Sequence, residues 1–370
     1  MPITTTAPTG RRSDQLEPGQ QVGSFTIEDV LHRSRDVTVL SAWQNPAQRV
    51  ALKVLNREVA EHVPRVRAFY AEAKYGMQLT HPRLVAVESV GPVDGWQVMQ
   101  MPVFEQRSLE RQLQQTGPMT EPAVWRFAAG LAEALELVHR AGFLHRDVSP
   151  ASILMHPVGW VLGGFSRMRD RVKPQDLAGQ ADLGGWNCYQ APELMFRHLS
   201  AAKRRSDIYS LGAVMAKCLF GRIPFETATR DECLAVKRRQ STLWLSDAAP
   251  GVSPETLRFL SRCLDPDPGG RPESLVELVQ QASGILGQPV ESLWPRLAGL
   301  VSSTIAGEWV AGHVVEGQSQ PVKIPHVWLV RMVLRGEISP RTLIARKPWG
   351  PFQPLKDVNE LRVLRPLLGE

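Results

Sequence analysis

Between Ser24 and Tyr75 the sequence contains no glycine. That gap excludes, from this stretch, a turn whose backbone N–H groups close around a phosphate, because such an approach needs residues without a Cβ. Cysteine is scarce as well: Cys188, Cys218, Cys233 and Cys263 form no CxxC pair and have no histidines at zinc-like spacing. Neither a disulfide framework nor a protein metal site is expected. No uninterrupted apolar run reaches the length of a membrane span, and the opening MPITTTAPTGRRSDQ has no hydrophobic segment. A cytoplasmic location, with no membrane partner, is the resulting expectation. Internal repeats and low-complexity runs are also lacking.

What is there is ordinary for a globular chain: 43% hydrophobic and 22% charged residues, in a length of 370 that suits more than one domain. The net charge of +6 reads as a mildly basic solvated surface, with no nucleic-acid partner. Oligomeric state leaves no mark on the sequence.

Residues 1–19 are rich in Thr, Pro, Gly and Gln and are expected to form an unstructured tail. Val37 to Ala42 and Arg49 to Leu55 alternate with period two and predict strands; in the second, Val50, Leu52 and Val54 face away from Ala51, Lys53 and Leu55. Arg65 to Leu79 predicts a helix with Phe69, Ala73 and Met77 on one side. Thr120-Glu121-Pro122 is a helix start, and Val124, Phe127, Leu131, Leu135 and Val138 recur at three and four residues behind it. Residues 283–305 carry Gly284, Gly287, Pro289 and Pro295 and read as a linker with room for a short helix.

Motifs stand at intervals along this frame. VALKV contains Lys53; QVMQMPV spans Gln97 to Val103; HRDVSPASIL runs from His145 to Leu154; Gly164-Phe165-Ser166 follows, then Ala191-Pro192-Glu193, SDIYSLG with Asp207, and LDPDPGGRP with Arg271. In this order they resemble the eukaryotic-type serine/threonine protein kinase family, over roughly residues 20–282. The resemblance implies an α+β, bilobal fold with a small β-rich lobe (about 20–100) and a large helical lobe (about 101–282). It implies that Lys53 meets nucleotide phosphates and pairs with Glu72, and that Asp147 is the candidate base. It implies a nucleotide pocket of Val39, Ala51, Lys53 and Leu154, with Met99 as gatekeeper. Asp207 would hold the catalytic-loop backbone, and Arg271 would be the buried partner of Glu193.

The same resemblance exposes departures. The family loop reads HRDxKPxN, and here the lysine and the magnesium-binding asparagine are Ser149 and Ser152. The aspartate that anchors magnesium is Gly164, so the family's metal ligand positions, Ser152 and Gly164, predict no bound metal. The phosphate-loop glycines are His32, Ser34 and Val37. The substrate-side threonine, three residues before Tyr189, is Trp186, and no threonine occurs between Gly164 and Glu193. Arg146 has only Ser166 and Tyr189 as candidate phosphorylated partners, and Arg167, Arg169, Arg171 and Lys173 read as a solvated basic loop. Gly76 replaces a bulky apolar residue that the family uses to link its helix to Phe165 and His145.

The expected function is therefore that of a degenerate kinase, or pseudokinase: a regulatory or scaffolding signalling protein that binds other proteins. It requires no cofactor, and ATP binding without magnesium is compatible with the apolar positions. One alternative is an active serine/threonine kinase with atypical metal and ATP handling. Another is an adaptor working through residues 306–370, a stretch similar to bacterial GYF-like small α+β domains. That similarity implies a proline-rich peptide as partner, met by Trp309, Trp328, Trp349 and Phe352 unless these form the core. It also implies a helix ending at Gly336 and a strand from Thr342 to Ala345.

Overall fold

A computed structural model describes residues 15–46, 48–79, 81–104, 106–156, 159–170, 186–195, 203–223, 225–227, 229–239, 251–294, 308–315, 318–325, 341–345 and 353–358. The chain divides into two compact units, one made of residues 1–73 and 87–103, the other of 74–86 and 104–370. The fold is the mixed α+β arrangement expected, with a β-rich first unit and a helical second one.

The first unit is built on an antiparallel sheet of β1 (Gln21–Val22), β2 (Phe25–Arg33), β3 (Val37–Asn45), β4 (Gln48–Leu55), β5 (Ser89–Val93) and β6 (Trp96–Pro102), in the order β1-β2-β3-β4-β6-β5. Strand alternation sorts its residues as the pattern requires. Leu40, Ala42, Val50, Leu52 and Val54 pack with Ile27, Trp96 and Val98 into one core. On the other face Leu55 and Met99 pack with Val59 of α1 (Arg57–Ala60) and with Phe69 and Ala73 of α2 (Val63–Gln78). Met77, grouped with Phe69 and Ala73 by its spacing, is instead 50% exposed. At about 100° per residue, eight residues overshoot two full turns by roughly 80°, which carries Met77 off the face.

The expected tail also shortens. Residues 1–14 lie outside the described residues, but Leu16 is 7% exposed and belongs to the core of the first unit, its carbonyl accepting from Arg33 Nη2 at 3.1 Å. A single leucine in a polar stretch offers no period, so composition alone assigned it to the tail.

In the second unit, α3 is Leu109–Thr116 and α4, Glu121–Arg140, is the helix expected after Thr120, with Val124, Phe127, Leu131, Leu135 and Val138 all buried. Its first residue, Glu121, accepts Ser253 N–H at 3.2 Å at the start of α8 (Pro254–Cys263), and Trp125 donates to Thr256 Oγ1 at 2.8 Å. Between them run α5 (Pro192–Met195), α6 (Arg204–Phe220) and α7 (Arg230–Arg239). Helix α9 (Leu275–Leu286) is followed, inside the expected linker, by α10 (Val290–Leu293) and a fully buried Trp294, whose indole donates to Ala129 O at 2.9 Å. The residues just past 282 are thus packed onto α4. Short strands β7 (Gln106–Ser108), β8 (Phe143–Leu144), β9 (Ile153–His156), β10 (Gly159–Leu162) and β11 (Arg169–Asp170) frame the loops between helices.

Farther on, β12 (Glu308–Val315), β13 (Gln318–Pro325), β14 (Leu343–Ala345) and β15 (Gln353–Pro354) form a sheet in the order β13-β12-β14-β15. Trp309 lies on β12, and β14 falls where the strand from Thr342 was expected. Trp328, Trp349, Phe352 and the helix expected to end at Gly336 lie outside the described residues. Among the described residues no helix is long and apolar enough to cross a membrane.

Candidate active site

In the first unit the candidate nucleotide residues share one sheet face. Val39 pairs across strands with Lys53, Lys53 with Met99, and Ala51 with Met101, so these side chains lie on the same side of β3, β4 and β6. From α2, Glu72 reaches Lys53 with both carboxylate oxygens, at 2.7 and 2.8 Å from Nζ. The pair is shielded: the lysine side chain is 16% exposed and the glutamate 7%. Leu154 belongs to β9 of the second unit.

The turn joining β2 to β3 occupies the place where phosphate-loop glycines were sought. Here it is tied down. Asn56 donates its amide to Ser34 O at 2.9 Å and Arg35 O at 3.0 Å, while its Oδ1 accepts from Thr38 Oγ1 at 2.8 Å. Ser34 closes the turn through Val37 O, and Asp36 is ion-paired with Arg65 of α2. The carbonyls of the turn are thereby spent on the first unit itself. Spacing gave no hint of Asn56, an isolated polar residue between a strand and a helix.

In the second unit the loop from His145 to Ser152 is hung on Asp207 of α6. Asp207 Oδ2 accepts His145 N at 2.9 Å and lies 2.7 Å from His139 Nε2, while Oδ1 accepts Arg146 N at 2.7 Å. Arg146 takes φ 66°, a left-handed conformation uncommon for a side chain of its size, held by that contact. His145 is fully buried; Nε2 lies 3.0 Å from Gly163 O, Nδ1 accepts Asp147 N at 3.3 Å, and its ring meets Phe165 edge-on at 5.7 Å. Gly76 has no side chain with which to extend that stack.

Asp147 Oδ1 accepts the Asn187 amide at 2.8 Å and has Arg167 Nε at 3.7 Å. Neither neighbour was singled out from sequence; Arg167 was assigned to a solvated loop, yet its side chain is only 20% exposed and turned to the acid. Arg171 and Lys173 lie outside the described residues. Ser152 Oγ is saturated within its own loop: its single proton is shared between Asp147 O and Ser149 O, both at 2.9 Å, and its oxygen accepts Ser149 N at 3.0 Å and Ser149 Oγ at 3.4 Å. Beside it Gly164 has φ 77°, and a Cβ placed there would sit 3.0 Å from Ser152 Cβ. Among the described residues no three His, Cys, Asp or Glu side chains gather as a metal site.

Residues 36–282 match the protein kinase domain family. The chain belongs to that family. It is similar to the serine/threonine-protein kinase PkaA of Streptomyces coelicolor, 28% identical over 277 residues that cover 68% of this chain and 48% of that protein. It is also similar to PknD of Mycobacterium tuberculosis, 28% identical over 275 residues covering 74% and 38%, and to PknH of Mycobacterium bovis, 26% identical over 276 residues covering 73% and 45%. The chain thus spans less than half the length of each of these relatives.

Within this kinase domain the family's two magnesium positions do not fit the ion. Gly164 offers no side chain, and the one oxygen of Ser152 already accepts Ser149 N and Ser149 Oγ. Of the hydroxyls that Arg146 could have met as a phosphate, Tyr189 is 8% exposed and donates to Glu226 Oε1 at 3.3 Å, and burial pushes its pKa up. Trp186 is half-buried.

The kinase domain's charge network sets its acid sensitivity. Burial lowers the pKa of His145 and outweighs the pull of Asp207 and Asp147 in the other direction. For Asp207 burial raises the pKa, but the bonds from His139, His145 and Arg146 outweigh it and leave the carboxyl below its ordinary 3.8. Glu193 is likewise raised by burial and carried below its ordinary 4.5 by Arg271. All three groups bind protons less tightly folded than unfolded, so each contributes stability above its unfolded pKa that is lost as pH falls through the folded one. Melting measured from pH 7 downward is expected to lose stability first below His145's ordinary 6.5, then more steeply below 4.5. A melting temperature that stays level from pH 7 to 5 would show that His145 accommodates a proton in the fold.

Proposed function

We propose that this kinase-domain protein is catalytically impaired and acts as a pseudokinase, regulating or scaffolding other proteins by binding them. One observation carries the reading: where the family pattern places its magnesium ligands, this chain has a glycine beside a serine whose oxygen already accepts Ser149 N at 3.0 Å and Ser149 Oγ at 3.4 Å. Phosphoryl transfer depends almost wholly on positioning and on neutralising charge, so absent ligands remove most of the catalysis. Ser149 in place of the loop lysine and the pinned, glycine-free turn at Ser34 to Asp36 support the same reading. Of the residues kept, Lys53, Glu72, Asp147, Glu193, Asp207 and Arg271, the last three chiefly serve the architecture.

The shielded Lys53–Glu72 pair and the retained Asp147 favour a second reading, an active serine/threonine kinase with atypical metal and ATP handling. The two separate in one experiment: thermal shift with ATP, with and without Mg²⁺ or Mn²⁺, beside a phosphoryl-transfer assay and a Lys53→Met control. The pseudokinase shows no transfer and a nucleotide shift, if any, indifferent to metal. Metal-dependent turnover that vanishes in Lys53→Met would overturn it. Residues 306–370 are read as a GYF-like module that takes a proline-rich peptide, a reading supported by the β12–β13 hairpin and tested by peptide binding to the full chain.

A further inference from the structure

The carboxylate of Asp147 is gripped from residues 186–190. Asn187 donates Nδ2 to Asp147 Oδ1 at 2.8 Å. Its amide has no freedom to turn, because its oxygen accepts the backbone N–H groups of Tyr189 at 2.9 Å and Gln190 at 3.1 Å. Those two bonds identify which end is oxygen and leave the nitrogen directed at the acid. Gln190 locks the turn from its far side: its Oε1 accepts Asn187 N at 3.4 Å, and its carbonyl accepts from the buried Lys237, whose ammonium lies over the rings of Tyr209 and Phe225 at 5.0 and 4.7 Å. Arg167 approaches the same Asp147 oxygen from the other side, at 3.7 Å.

We infer that Asn187 is a positioning residue that latches residues 186–190 onto the catalytic loop, with Asp147 serving as the anchor and its Oδ1 withheld from an incoming hydroxyl. The family's expected hydroxyl partner is absent, since its position is Trp186, and an amide one residue later makes a contact to the acid instead. The inference deepens the pseudokinase reading and rests on it for why an acid is retained without transfer: removing Asp147 would loosen the surface beside it. The latch itself is read by amide exchange and melting, without nucleotide or metal, so it can fail while the pseudokinase reading stands, and the reverse.

The test is hydrogen exchange of residues 186–190 in the full chain. Asn187→Asp keeps the acceptor for Tyr189 and Gln190 but sets a second carboxylate against Asp147. At pH 7.5 exchange is expected to quicken roughly tenfold or more, the scale of a broken charge-assisted bond. At pH 5 the difference is expected to shrink, because two facing carboxylates come to share a proton, a response that a merely structural lesion does not give. Combining Asp147→Asn with Asn187→Asp reverses donor and acceptor and is expected to restore protection to within about threefold of the unmodified chain. Should Asn187→Asp not fold, Asn187→Ser, too short to reach Asp147, takes its place. Unchanged exchange in whichever single variant folds, or no recovery in the reversed pair, overturns the latch.

Discussion

Glu193→Gln is expected to destabilise the second unit by about 3–5 kcal/mol, the cost of stranding a buried charge. Arg271 is 2% exposed and its N–H groups are fully employed. Nε donates to Asp265 O at 2.7 Å; Nη1 to Glu193 Oε1 at 2.7 Å and Arg205 O at 3.1 Å; Nη2 to Glu193 Oε2 at 2.9 Å and Pro266 O at 3.1 Å. Its guanidinium also stands 4.8 Å from the centre of the Tyr209 ring. Glutamine keeps one acceptor but turns an amide donor toward a donor and removes the only carboxylate among these partners. Ser206 loses strength as well, since it donates to Glu193 Oε1 at 2.6 Å. For a unit of this size the loss corresponds to a fall in melting temperature of roughly 6–20 °C. Replacing both partners with apolar residues is expected to cost less than Glu193→Gln alone, because no charge is left buried. A change under about 1 kcal/mol in the single variant would show that the pair is not what holds α5 to the loop before Arg271.

That pair was legible in advance because its members sit in compact motifs, and so were the Lys53–Glu72 contact and the bonds from Asp207 to the loop backbone at His145 and Arg146. Strand alternation in β4 and the repeating apolar positions of α4 were legible for a different reason: burial on one face imposes a period that a single sequence displays. Contacts made by isolated polar side chains display none. Asn187 reaches Asp147 across 40 residues, and Asn56 reaches the carbonyl of Ser34 across 22, from positions that any small polar residue could occupy. Trp294 was read as part of a linker because glycine and proline surround it, although one buried indole is enough to dock the segment on α4. The departures at the metal positions could be named from sequence as missing groups. What sequence could not convey is that Ser152 is already employed elsewhere.

That employment makes the rebuilt site informative. In the combined Ser152→Asn and Gly164→Asp variant, an ATP-induced thermal shift is expected to become dependent on Mg²⁺, where the unmodified chain is expected to show no such dependence. Each change alone carries a penalty. Ser152→Asn removes the hydroxyl that joins Asp147 O, Ser149 O and Ser149 N, a loss of about 1–3 kcal/mol for polar groups left short of partners. Gly164→Asp enters a left-handed backbone at φ 77°, which aspartate tolerates better than most residues, but its Cβ meets Ser152 Cβ at 3.0 Å. Ligand bound at a hundredfold excess over its Kd returns about 2.7 kcal/mol, which raises the melting point by several degrees over that of the same variant without ligand. Phosphoryl transfer is expected to stay at background even then, since Ser149 brings no ammonium and the turn at Ser34 remains pinned by Asn56. A metal-dependent shift in the unmodified chain would mean that other side chains hold the ion. No shift in the rebuilt chain would place the loss in the candidate nucleotide face of the sheet, not in the ligands, and would leave Lys53 and Glu72 as a purely architectural pair.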